Sequence, residues 1–103
     1  MMAVDMVEAA GFEVLEAASA AEAIVALEQH SDIRIVFTDI DMPRGIDGLQ
    51  MAALIRHRWP PIEIIVTSGH YRIDEIGLPP RIVFFAKPYA QDKVISTMRR
   101  MAA

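Results

Sequence analysis

The sequence predicts an α/β domain built on a parallel sheet, and two observations carry that prediction. Short runs rich in β-branched and aromatic residues, at 33–39, 62–67 and 82–87, alternate with stretches of helical periodicity. That order is the mark of parallel strands joined by crossover helices. Each run also closes on a polar side chain: Asp39, Thr67 and Lys87. Strands of a parallel sheet point one way, so those ends meet along one edge, where open α/β sheets keep their sites. A carboxylate, a hydroxyl and an ammonium would converge there, which is the equipment for receiving a phosphoryl group.

The elements follow in order. Residues 2–10 put Met2, Met6 and Val7 on one stripe of a helix that Gly11 stops. Residues 12–17 read as a short strand, weakened by Glu13 and Glu16. Ser19 opens a second helix, with Glu22 three residues on making a capping box. Ile24 and Leu27 supply its buried face, and it ends near His30. Strand 33–39 runs into a turn-rich loop, Asp41-Met42-Pro43-Arg44-Gly45, and then a helix at 47–58 that Pro60-Pro61 stops. After strand 62–67 comes the least regular segment, 70–80, where Gly77, Pro79 and Pro80 leave room for one short helix at 71–76. Strand 82–87 leads to a last helix at 91–101, with Val94, Met98 and Met101 on its apolar face. The expected inventory is four strands and about five helices in a single domain, 1–103, without repeats, low-complexity tracts or linkers.

Composition narrows the function classes. At 103 residues and 53% hydrophobic content, the chain is one small domain with enough apolar material for a core. A net charge of −4 gives no support for nucleic acid or an anionic membrane as the main partner. Cysteine is absent, which removes disulfides and thiolate metal sites. No apolar stretch reaches the length of a membrane span, and the front lacks the basic-then-apolar layout of a secretion signal, so a cytoplasmic location is expected.

Three motifs, Thr38-Asp39-Ile40-Asp41-Met42-Pro43 with Asp47-Gly48, Val66-Thr67-Ser68-Gly69, and Phe84-Phe85-Ala86-Lys87-Pro88-Tyr89, stand in order, each at a strand end. With them the chain, from Phe12 onward, resembles the receiver domain of two-component response regulators. The resemblance implies a flavodoxin-like, doubly wound sheet. It implies Asp39 as phosphoacceptor, Thr67 as switch hydroxyl, Lys87 as the lysine of the site and Phe84 as the rotating aromatic. It also implies Mg²⁺, with Asp39 and the backbone carbonyl of Asp41 among its ligands. The peptide before Pro88 is a candidate cis bond that would aim Lys87 into the cleft.

One departure stands at the front. Receivers begin with an apolar strand ending in acidic residues that help hold Mg²⁺, and the chain as given starts within a helix. Mg²⁺ prefers near-octahedral oxygen with carboxylates supplying charge. Weak Mg²⁺ binding and slow or absent phosphorylation by this chain alone are therefore expected. The first strand is central in the order 2-1-3-4-5. Its four or five aliphatic residues, at roughly 1.5–3 kcal/mol each, come to on the order of 10 kcal/mol. A domain is stable by only about 5–15 kcal/mol. A rearranged sheet, with 12–17 paired to 33–39, or exchange with a second chain is expected instead.

Each residue alone has a plainer reading. Asp39 alone would cap a turn, Lys87 alone would be a solvated strand end, and Thr67 alone a β-branched strand residue. Their register turns the odds toward a shared site. Phe84 stays open between core aromatic and moving switch. His70 reads as an exposed loop histidine, and Arg99 and Arg100 as a solvated face.

The leading function is a receiver switch, phosphorylated on Asp39 by a histidine kinase or phosphotransfer protein and altering its 84–101 face for a downstream protein. Self-association is expected through a sheet edge, strand exchange or that same face. The rivals are a phospho-independent interaction module with a disabled site and a haloacid-dehalogenase-like phosphatase. Asp39-Ile40-Asp41 imitates the latter's nucleophile and acid pair. Against it stand Met42-Pro43, the lack of acidic residues after the lysine and the short chain, so no enzymatic turnover is expected.

Overall fold

A computed structural model describes residues 2–41, 45–72, 78 and 81–103. Helix α1 (Met2–Ala9) ends where Gly11 turns at a φ of +95°, a conformation that favours glycine. The amides of Gly11 and Phe12 then reach back to the carbonyls of Glu8 and Val7. Helix α2 (Ala20–Gln29) starts at Ser19, whose Oγ accepts the Glu22 N–H at 3.1 Å and satisfies one free donor of the first turn. Strand β1 (Ile35–Asp39), helix α3 (Gly45–Arg58), strand β2 (Glu63–Ser68), strand β3 (Ile82–Ala86) and helix α4 (Gln91–Ala102) complete the order. The strands form one parallel sheet, β1-β2-β3.

Period-2 alternation along the strands sorts the apolar side chains onto two faces. Val36, Ile64, Val66, Ile82 and Phe84, with Ile40 just past β1, pack with Leu27, Met51, Ala52 and Ile55 of α2 and α3. Ile35, Phe37, Ile65, Val83 and Phe85 pack with Met6, Val94 and Met98 of α1 and α4. β2 lies in the middle, and its residues from Ile64 to Ser68 are all buried. Covering both faces is what a parallel sheet requires, and each buried aliphatic there contributes about 1.5–3 kcal/mol. The last helix follows its expected pattern, with Val94 and Met98 buried and Met101 packed beside them.

The predicted fold class stands, with one element corrected. Among the described residues there are three strands and four helices. Residues 12–17 join no ladder, and β1 pairs with β2 alone, so the chain does not make the rearranged four-stranded sheet. Phe12 is anchored in the α1/α4 cluster, while Glu13, Glu16 and Leu15 (58% exposed) face solvent. A segment with so little to bury does not repay the ordering of a strand. The short helix expected at 71–76, and the loop motif Met42-Pro43, lie largely outside the described residues.

Candidate functional site

The three strands deliver their C-terminal ends side by side. In register, Asp39 is opposite Thr67, Thr67 is opposite Phe85, and Ser68 is opposite Ala86. The ladder continues past the strands, with Ile40 N–H donating to the Thr67 carbonyl and Lys87 N–H to the Ser68 carbonyl. The ladder thus extends one residue beyond β1 and β3. The Lys87–Pro88 peptide is cis.

Asp39 and Lys87 meet as expected. Lys87 Nζ lies 2.6 Å from Asp39 Oδ2, a short charge-assisted contact. The other carboxylate oxygen of Asp39 accepts the Asp41 N–H at 2.8 Å, an Asx-type turn that fixes the carboxylate's orientation. Asp39 keeps 29% of its side chain exposed and Lys87 keeps 35%, so both are open to a reactant. Hydrogen bonding to Asp39, ahead of its contact with Asp41, raises the Lys87 pKa above its ordinary value. The lysine therefore stays cationic.

Thr67 stands directly opposite Asp39 in the ladder, on the same face of the sheet. It is 1% exposed, and its hydroxyl donates to the Phe85 carbonyl at 2.8 Å. The next residue, Ser68, is the hydroxyl that joins the site: it donates to Asp41 Oδ1 at 2.6 Å and accepts the amides of His70 and Tyr71 at 3.1 and 2.9 Å. Its one donor and two acceptor positions are all used. Phe84 is half-buried against the α2/α3 cluster, as a core aromatic would be.

Asp41 does more than the sequence suggested. Its carboxylate accepts the Gly69 N–H at 2.7 Å and the His70 N–H at 3.3 Å, and lies 3.2 Å from both Lys87 Nζ and His70 Nδ1. The Ser68 hydroxyl above all, with the Gly69 amide next, holds its pKa far below the usual carboxylate range. Glycine suits position 69 because a Cβ there would come within 3.3 Å of Lys87 Cβ and 3.6 Å of Asp41 Oδ2. Ser68 and Gly69 stand in the motif Val66-Thr67-Ser68-Gly69, where their small size leaves the approach open; their bonds to Asp41 are what the motif did not announce.

A Mg²⁺ site fits these residues incompletely. Asp39 and Asp41 offer carboxylates, but all four oxygens already contact protein donors. Among the described residues no three His, Cys, Asp or Glu side chains gather to hold a metal. Among them, too, no helix is long and apolar enough to cross a membrane.

Comparison with known proteins agrees with this geometry. The family model described as the response regulator receiver domain matches residues 1–99. The chain is 36% identical over 100 residues to the C4-dicarboxylate transport transcriptional regulatory protein DctD of Rhizobium meliloti, covering 90% of this chain and 20% of that protein. It thus spans about a fifth of the length of this curated relative. Among solved structures it resembles a response regulator receiver protein from Sinorhizobium medicae, with a TM-score of 0.76 at 29% identity, covering 95% of this chain and 80% of that one. A receiver domain from Clostridium thermocellum shares the fold at a TM-score of 0.80 and 23% identity, over 97% and 82% of the two chains. Three motifs at strand ends, a parallel sheet wrapped by helices and a family match along nearly the whole chain agree: the protein belongs to the response regulator receiver domain family.

Proposed function

We propose that the chain is a phosphoryl-accepting signalling switch whose acceptor is Asp39. Receiver domains are signalling domains, and the family generally binds Mg²⁺ at its phosphorylation site. The single observation that carries the proposal is the 2.6 Å approach of Lys87 Nζ to an Asp39 carboxylate that the Asp41 amide orients. A carboxylate oxygen so placed attacks the phosphorus of a phosphohistidine on a kinase or phosphotransfer protein, or of a small acyl phosphate. The new P–O bond to Asp39 forms as the P–N bond to the imidazole, or the P–O bond to the donor's carboxylate, breaks and that group leaves. Phosphoryl transfer rests mostly on positioning and charge neutralisation. Lys87 supplies the compact cation for that task. Thr67, opposite Asp39 in the ladder, is assigned the hydroxyl that follows the phosphoryl group on leaving the Phe85 carbonyl, and Ser68 holds the neighbouring Asp41. The 84–101 region is the face presented to a downstream protein, in a cytoplasmic setting.

The phospho-independent module keeps one observation in its favour, the engagement of every Asp39 and Asp41 carboxylate oxygen by protein donors. One experiment separates the two. Acetyl phosphate with Mg²⁺ is expected to add one phosphoryl group to the wild type, slowly, and none to Asp39→Asn, read by intact-protein mass. A wild type that stays unlabelled after prolonged incubation would refute the switch and leave the module.

A further inference from the structure

The Asp41 carboxylate is surrounded by donors drawn from two strand ends. Oδ1 takes the Ser68 hydroxyl at 2.6 Å and the His70 amide at 3.3 Å, with His70 Nδ1 at 3.2 Å. Oδ2 takes the Gly69 amide at 2.7 Å, with Lys87 Nζ at 3.2 Å. Consecutive backbone N–H groups, a hydroxyl and an ammonium form a concavity of the kind that binds a tetrahedral oxyanion. The same Lys87 nitrogen touches Asp39 at 2.6 Å, so this cradle adjoins the acceptor.

We propose that Asp41 is a resident anion seated in the cradle that an incoming phosphate oxygen needs, so that the chain holds its own acceptor site closed until Asp41 swings out. The proposal rests on reading Asp39 as the acceptor. The ligand class is a phosphate oxyanion, free or carried on Asp39. Asp41 competes for the donors in two ways, by filling the hydrogen-bonding positions and by neutralising Lys87.

Titration of the full chain with inorganic phosphate, without divalent metal and read at the Gly69 and His70 amides by NMR, tests this directly. Asp41→Ala is expected to bind phosphate about tenfold more tightly than wild type, the step that one lost competing charge-assisted contact allows. Glu16→Gln removes an equal charge from the exposed 12–17 segment and leaves Asp41 on its donors, so its affinity is expected to stay close to wild type. Equal affinity in Asp41→Ala and wild type overturns the proposal. Equal tightening by Glu16→Gln does so as well, because net charge alone would then explain the gain. If Asp41→Ala loses its dispersed spectrum, Asp41→Asn replaces it, with the same direction expected and the same results fatal. The readout does not involve labelling of Asp39. Phosphate binding gained in Asp41→Ala, in a protein that acetyl phosphate never labels, would sink the switch and keep the cradle. Labelling with no gain in binding would do the reverse.

Discussion

The two faces of the sheet end differently at the C-terminal rim. On the α1/α4 side the last buried side chain of β2 is Thr67, whose hydroxyl turns inward to the Phe85 carbonyl. On the α2/α3 side it is Ser68, whose hydroxyl turns outward to Asp41 and gathers the amides of His70 and Tyr71. The two residues are neighbours, both 1% exposed, and chemically similar. One ties two strands together and the other builds the site. The bond each hydroxyl makes, more than residue type or parity, separates those roles, since Asp39 and Lys87 share the parity of Thr67.

The largest effects expected are in the core behind that rim. Ile64 and Ile65 are both fully buried, one on each face. Ile64→Ala and Ile65→Ala are each expected to cost about 2–5 kcal/mol in chemical denaturation. A cost below about 1 kcal/mol for Ile65→Ala, well under the usual range, would show that the α1/α4 side is not a true second core.

The rim itself gives a smaller and more specific contrast. Thr67→Val keeps the shape and removes one buried hydrogen bond, with an expected loss of about 1–2 kcal/mol. The amide resonances of Gly69, His70 and Tyr71 are expected to stay in place. Ser68→Ala is expected to shift all three, since it removes one donor and two acceptor positions at once. Equal movement of those resonances in both variants would erase the distinction between the faces.

How far the sequence foretold these features follows from where each residue stands in its run. Apolar runs and their spacing announced the three strands, because burial on both faces needs near-continuous aliphatic runs. Asp39 and Lys87 were legible because each stands at the end of its run, where a side chain can reach the rim from either face. Thr67 was legible in the same way, since it closes its run opposite Asp39, but its bond to the Phe85 carbonyl was not. The segment 12–17 misled for a different reason. Phe12 and Val14 alternate as strand residues do, but strand pairing is decided by a partner, and none is present among the described residues. Asp41 was expected to act through its backbone carbonyl. Its side-chain role depends on the backbone path through 68–70, a tertiary feature that spacing does not encode.

The smallest effect expected is a pH dependence, and its sign follows from the direction of each shift. Asp41 titrates lower in the folded protein than its ordinary value of 3.8. Its contribution to stability is therefore present above about pH 3.8 and is lost progressively as pH falls below it. Lys87 titrates above its ordinary 10.5, so its contribution is present below that pH and is lost as pH rises through the folded value. Other carboxylates also protonate in acid, so the informative quantity is a difference between proteins. The loss of denaturant resistance from pH 6 to pH 3 is expected to be greater in wild type than in Asp41→Ala, which has no such contact to lose. The gap should be modest, since the site is open to solvent and screened. Identical acid profiles for the two proteins would mean that the donors around Asp41 give it no preference for the folded state.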